Sequence, residues 1–187
     1  IYIEVKGKGG HGALPHLTVD TVMVASQIII ALQTLVSRSA NPLIPSVLTF
    51  GKINTEGGAT NVIPEKVTIE GTFRTMDEHW RKAAKLKINQ ITSGIATSFG
   101  AEAIVNIIDG YPMLHNDLEQ TAIVKSKAQD YLGMENVIDI PQRMTSEDFA
   151  YFAGKLPCVF YRLGTNNENN DYCHSVHSPH FDVDQRC

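Results

Sequence analysis

Apolar and polar residues alternate from the first position, with Ile1, Ile3 and Val5 on one side of a strand and Tyr2 and Glu4 on the other. A glycine-dense loop follows, Gly7-Lys8-Gly9-Gly10-His11-Gly12. From about Thr18 to Ser37 the spacing changes. Val19, Val22, Met23, Ile28, Ala31, Leu32 and Leu35 recur at intervals that predict a long helix, with Asp20 in its first turn and Asn41-Pro42 beyond its end. Ser46 to Ile53 alternates as a strand, Glu56-Gly57-Gly58 marks a turn, and Val67 to Phe73 reads as another strand. A second long helix is predicted from about Asp77 to Phe99. Its stripe carries Trp80, Ala84, Leu86, Ile88, Ile91 and Ile95, and Gly100 is placed to end it. Ala101 to Ile108 supplies one more strand.

The order strand, helix, strand, strand, helix, strand predicts an α+β domain of ferredoxin-like type, an antiparallel four-stranded sheet with two helices on one face. A boundary is expected near Tyr111-Pro112. Beyond it, a helix from about Asn116 to Leu132 precedes short apolar segments at Val137–Ile140 and Val159–Leu163, joined through a helix near Ser146–Ala153. So short a piece struggles to close a core by itself and is expected to be an incomplete domain. The opening residue is not methionine and already lies within a strand pattern. That is expected of a segment cut from a longer protein.

Composition narrows the partners. Apolar residues are 43% and charged residues 19% of the 187, an ordinary globular balance. The formal charge of -4 argues against a nucleic-acid binder that works by neutralising phosphates. No uninterrupted run of about 18 apolar residues occurs, so no membrane span is expected. Cys158, Cys173 and Cys187 match no Cys-x-x-Cys clip and fit a reduced, cytoplasmic protein better than a disulfide scaffold.

Candidate chemistry begins with histidine. Cys173-His174-Ser175-Val176-His177-Ser178-Pro179-His180 could supply metal ligands, or could be a solvated loop, and no second pair completes a four-ligand site. His11, presented by permissive glycines, could face a substrate, or could sit with His16 in an incidental tight turn. Asn61, in Gly57-Gly58-Ala59-Thr60-Asn61-Val62-Ile63-Pro64, is either a turn former or a polar donor. Arg74, at the end of Gly71-Thr72-Phe73-Arg74, could grip a carboxylate with its planar fork or pair on the surface. Glu147 and Asp148, adjacent at a helix start, suit a cap and the helix dipole.

Taken in order, these blocks resemble the M20 metallopeptidases, and within them the M20D branch of N-acyl-amino-acid amidohydrolases, hippurate hydrolases and auxin-conjugate hydrolases. The resemblance rests on Gly7 to His16 followed by Asp20, then Thr60-Asn61-Val62-Ile63-Pro64 and Gly71-Thr72-Phe73-Arg74-Thr75. It continues in Ser146-Glu147-Asp148-Phe149-Ala150-Tyr151-Phe152 and in His177-Ser178-Pro179-His180-Phe181-Asp182-Val183-Asp184. It covers nearly the whole chain.

What the resemblance implies is a two-domain hydrolase. Residues 1–111 would be a lid that also dimerises, and 112–187 the C-terminal portion of a zinc-peptidase-like α/β catalytic domain whose N-terminal portion is absent. His177 would correspond to a ligand of a two-metal site, zinc first, with manganese, cobalt or nickel as alternatives. His11 would reach the neighbouring subunit's site, with Asn61, to polarise the scissile carbonyl. Arg74 would hold the substrate carboxylate. The remaining ligands and the general base, expected upstream of the lid, do not occur here, and Glu147-Asp148 matches a different motif. The expected activity is hydrolysis of N-acyl amino acids or small peptides by a metal-activated water, in a cytoplasmic homodimer. The 187-residue chain alone is expected to bind zinc weakly and hydrolyse little. The alternative is a non-catalytic ferredoxin-like dimerisation or ligand-binding module, and a small-molecule sensor is a further reading of the same sheet.

Overall fold

The computed structural model describes residues 1–57, 59–166 and 174–187; Gly58 of the expected turn and Cys173 of the histidine segment lie outside the described residues. The chain folds as two compact units, Ile1–Leu114 with Ile140–Tyr151, and His115–Asp139 with Phe152–Cys187.

In the first unit, β1 (Tyr2–Lys6), β3 (Ser46–Thr55), β5 (Lys66–Thr75) and β6 (Glu102–Asn106) form a four-stranded antiparallel sheet in the order β3-β5-β1-β6, while β2 (Gly10–His11) and β4 (Val62–Ile63) pair separately. The four-stranded arrangement is the ferredoxin-like order. Register is set by burial: Ile3 lies opposite Ile69 and Val105, and Val5 opposite Val67 and Ala103. Those residues share one face, and the period of two sends Tyr2, Glu4, Thr72 and Arg74 to the other. Two helices, α1 (Thr21–Thr34) and α2 (Glu78–Ser98), cover the apolar face. Val24, Ala25, Ile28 and Leu32 of α1 and Ala84, Ile88 and Ala96 of α2 are buried with Leu48, Val67 and Ile69.

The helix ends explain their boundaries. Asp20 is the N-cap of α1 rather than a first-turn residue; its carboxylate accepts from the Val22 and Met23 amides, each at 3.0 Å. Asp77 caps α2 in the same way, at 2.7 Å to His79 and 2.9 Å to Trp80. Gly100 ends α2 at φ 73°, with Ala101 N–H returning to the Ala96 carbonyl and Gly100 N–H to the Thr97 carbonyl, a Schellman closure that needs a left-handed residue. Beyond Thr34, α1 continues as a π-helical turn, Leu35–Ser39. Thr21–Ser39 is, by length and composition, apolar enough to cross a bilayer, although it includes polar residues. Here its buried face is part of the sheet core.

The second unit contains α3 (Leu118–Leu132), capped by Asp117. Asn116 ties its start to an extended segment: its side chain donates to the Phe160 carbonyl and accepts from the Phe160 amide, each at 2.9 Å. The expected helix at Ser146–Ala153 is only α4 (Ala150–Ala153), and Val137–Ile140 and Val159–Leu163 form no strand. Among the described residues of this unit only Asp184 is buried, and none of its apolar side chains is. Leu118, Tyr131, Leu156, Tyr161 and Leu163 are exposed.

Candidate functional site

The two short strands have no counterpart in the sequence pattern. Gly10–His11 (β2) pairs with Val62–Ile63 (β4), so that His11 lies opposite Val62. Gly12 N–H donates to the Asn61 carbonyl at 2.7 Å, and Gly7 N–H to the Glu65 carbonyl at 2.9 Å. This small ribbon sets His11 opposite Val62 and the Asn61 backbone against Gly12, with His11 and Asn61 both exposed. The glycines make it feasible. A Cβ on Gly7 would lie 2.6 Å from the Val19 carbonyl oxygen, and one on Gly9 2.8 Å from that of Ile63. Thr21, fully buried, donates its hydroxyl to the Pro64 carbonyl at 2.7 Å and fastens the start of α1 to the ribbon's end.

His11 has a defined polarity. Its Nδ1 accepts the Ala13 amide hydrogen at 3.0 Å, so the neutral ring carries its proton on Nε2. Nε2–H is then the donor available to a ligand. Asn61 offers a side-chain amide from the same ribbon.

Arg74 stands near the far end of β5, exposed on the face away from the helices. Eight residue steps separate it from Lys66, where β5 leaves the ribbon, which at ~3.3 Å per step is roughly 26 Å. One copy therefore does not bring Arg74 together with His11 and Asn61. The Arg74 Nη1 donates to the Met144 carbonyl at 3.0 Å and to the Ser146 hydroxyl. Ser146 is visible in the sequence only as part of a helix-start motif; its bond to Arg74 spans 72 positions, beyond any local pattern. Near it, Tyr151 N–H turns back to the Asp148 carbonyl at 3.0 Å.

His177, in the second unit, is exposed and has φ 72°, the one positive-φ residue other than glycine among those described. Ser178 N–H closes the turn on the Ser175 carbonyl at 3.1 Å, and the His174 and His180 rings lie 5.5 Å apart. Among the described residues no three His, Cys, Asp or Glu side chains converge where a metal ion could be held. These residues therefore do not by themselves fit a dinuclear centre.

Residues 1–98 match the M20 peptidase dimerisation domain. The chain is 42% identical over 184 residues to the N-acetyl-L-cysteine deacetylase of Bacillus subtilis (strain 168), covering 98% of this chain and 42% of that protein. It is 38% identical over 186 residues to the IAA-amino acid hydrolase ILR1-like 4 of Arabidopsis thaliana, 97% of this chain and 42% of that one. Among solved structures, the Bacillus subtilis YXEP protein, described as a dinuclear metal binding peptidase from the M20 family, superposes with a TM-score of 0.72 at 28% identity. That superposition covers 99% of this chain and 44% of the other. The chain thus spans less than half the length of each of these relatives. With the ferredoxin-like sheet and its ribbon, these matches show that the chain belongs to the M20 family of peptidases and amidohydrolases, residues 1–98 being its peptidase dimerisation domain.

Proposed function

We propose that this chain is part of an amidohydrolase that cleaves N-acyl amino acids or small peptides, and that His11 and Asn61 of one copy complete a site in which Arg74 of a second copy holds the ligand. The observation that carries this reading is the length of β5 between the two groups, far greater than an N-acyl amino acid. A single copy cannot close both ends on one such ligand. A homodimer can.

In this reading the Nε2–H of His11 and the amide of Asn61 donate to the acyl oxygen as charge develops there, each such donor contributing about 2.7–4 kcal/mol to transition-state stabilisation. The Arg74 fork selects ligands with a free carboxylate. Residues 1–111 form the lid and 112–187 a portion of the catalytic domain. His177 is proposed as a ligand of divalent metal ions (zinc first, then manganese, cobalt or nickel) that would supply an activated water in the whole protein. The described residues do not assemble the rest of that ligand set. A reducing, cytoplasmic setting fits the cysteine pattern, and neither nucleic acid nor membrane is proposed as a partner.

The dimer is supported by two surfaces on the first unit. The ten-residue strand β3 is a sheet edge, its outer side unpaired among the described residues. Beside it, only a third of the apolar stretch of α1 and its extension is buried, and Val22, Met23 and Ile30 face outward. A second reading for the 187-residue chain is a dimerisation or ligand-binding module, which the match of residues 1–98 to the peptidase dimerisation domain supports.

Mixing two variants of the whole protein, H11A and R74Q, tests the main reading when an N-acyl amino acid is supplied well below its KM, so that each homodimer keeps only a small residual rate. If the two groups act across copies, random exchange yields heterodimers with one intact site, restoring about a quarter of wild-type activity. No recovery, with heterodimers confirmed by mass, would place both groups at one copy's site and overturn it.

A further inference from the structure

Arg74 is held by an unusual pair of acceptors. Both groups that receive its Nη1 hydrogens, the Met144 carbonyl and the Ser146 hydroxyl, are uncharged. Among the described residues no carboxylate pairs with Arg74, and its Nε and Nη2 have no protein partner. Glu147 and Asp148 follow Ser146 directly in the chain, yet neither is the ion-pair partner of Arg74. Instead the guanidinium is fixed on one side and left with its full charge and its other donors.

We propose that Ser146 and the Met144 carbonyl form a positioning clamp for Arg74, orienting the guanidinium so that Nε and Nη2 meet the carboxylate of the ligand as a fork. This rests on the proposed role of Arg74 in binding that carboxylate. The Ser146-Glu147-Asp148 motif thereby gains a use besides the start of a short helix. Ser146 touches no reacting atom; it acts through Arg74. A fork needs both donors in one plane, and two anchors on Nη1 remove the rotations that would spoil it at less desolvation cost than an ion pair. Ser146 and Arg74 are both exposed, so neither substitution empties a core.

The test compares S146A, S146T and R74Q in the whole protein, each against an N-acyl amino acid and its carboxamide analogue. R74Q is expected to raise KM for the carboxylate by about 10- to 100-fold and to erase most of the preference for the carboxylate over the carboxamide. S146A is expected to do the same more weakly, about 2- to 10-fold, with kcat nearly constant, and S146T, which keeps the hydroxyl, to restore it. A side-chain readout accompanies the kinetics: Arg74 Nη resonances resolved in the wild type and merged by faster rotation in S146A. Selective loss in R74Q with no loss, or equal loss on both substrates, in S146A would overturn the clamp and leave the role of Arg74 standing. No selectivity in R74Q would overturn both.

Discussion

Asp184 is nearly out of solvent at 7% exposure, and Arg186, two residues on, supplies its charge partner. The Arg186 side chain and backbone N–H both donate to the carboxylate, and this holds the Asp184 acid at about 2, below the ordinary 3.8. Because the folded value is depressed, the stabilisation is present above the ordinary range and is lost as pH falls through about 2. R186Q is expected to move the Asp184 midpoint up toward 3.8, followed by carboxyl carbon NMR; an unmoved midpoint would mean the turn itself sets the acid. His177 tells a related story through its backbone, since a left-handed histidine at φ 72° sits where a side chain is disfavoured. At this scale the sequence is informative about identity and poor about partners. Resemblance singles out His11, Asn61, Arg74 and His177, yet neither the Ala13 amide that sets the His11 tautomer nor the hydroxyl that meets Arg74 leaves a mark on spacing.

Elements are legible wherever a period runs long enough. The α2 stripe and the alternation of β1 and β5 announce themselves because each buries one face against the same core. The β2–β4 ribbon is hidden for the converse reason: a pairing of two residues on each side has no period, and its glycines signal close approach without saying to what. The segments Val137–Ile140 and Val159–Leu163 mislead in the other direction, since apolar runs with no fully buried residue gain no strand partner here. The N-cap of α2 offers a direct check on the local argument. Asp77→Ala removes the acceptor of two amide hydrogens and should cost about 1 kcal/mol, seen as a lower urea midpoint with an unchanged slope. A change well under half of that would mean water replaces the cap freely.

For the whole molecule, the apolar outer side of α1 and the unpaired edge of β3 make a testable surface. Ile30 is 63% exposed, so Ile30→Glu should leave the core intact while placing a charge where a second copy is proposed to pack. Sedimentation equilibrium is expected to show a dimer in the wild type and a shift to monomer of at least tenfold in dissociation constant in the variant. An unshifted dimer would move the interface elsewhere. The second unit, by contrast, leaves Leu118, Tyr131, Leu156 and Leu163 exposed.

The length of β5 has a consequence for which genetic changes this chain tolerates. Deleting one residue between Lys66 and Arg74 would turn every later side chain of the strand to the opposite face, sending Arg74 toward the helices and Phe73 toward solvent. Deleting two would restore the faces but draw Arg74 about 6.6 Å nearer the ribbon. Such a pair of deletions could leave a folded protein in which Arg74 no longer reaches the ligand proposed to lie on His11 and Asn61 of the other copy, so related chains should vary in their loops and keep the count of this strand.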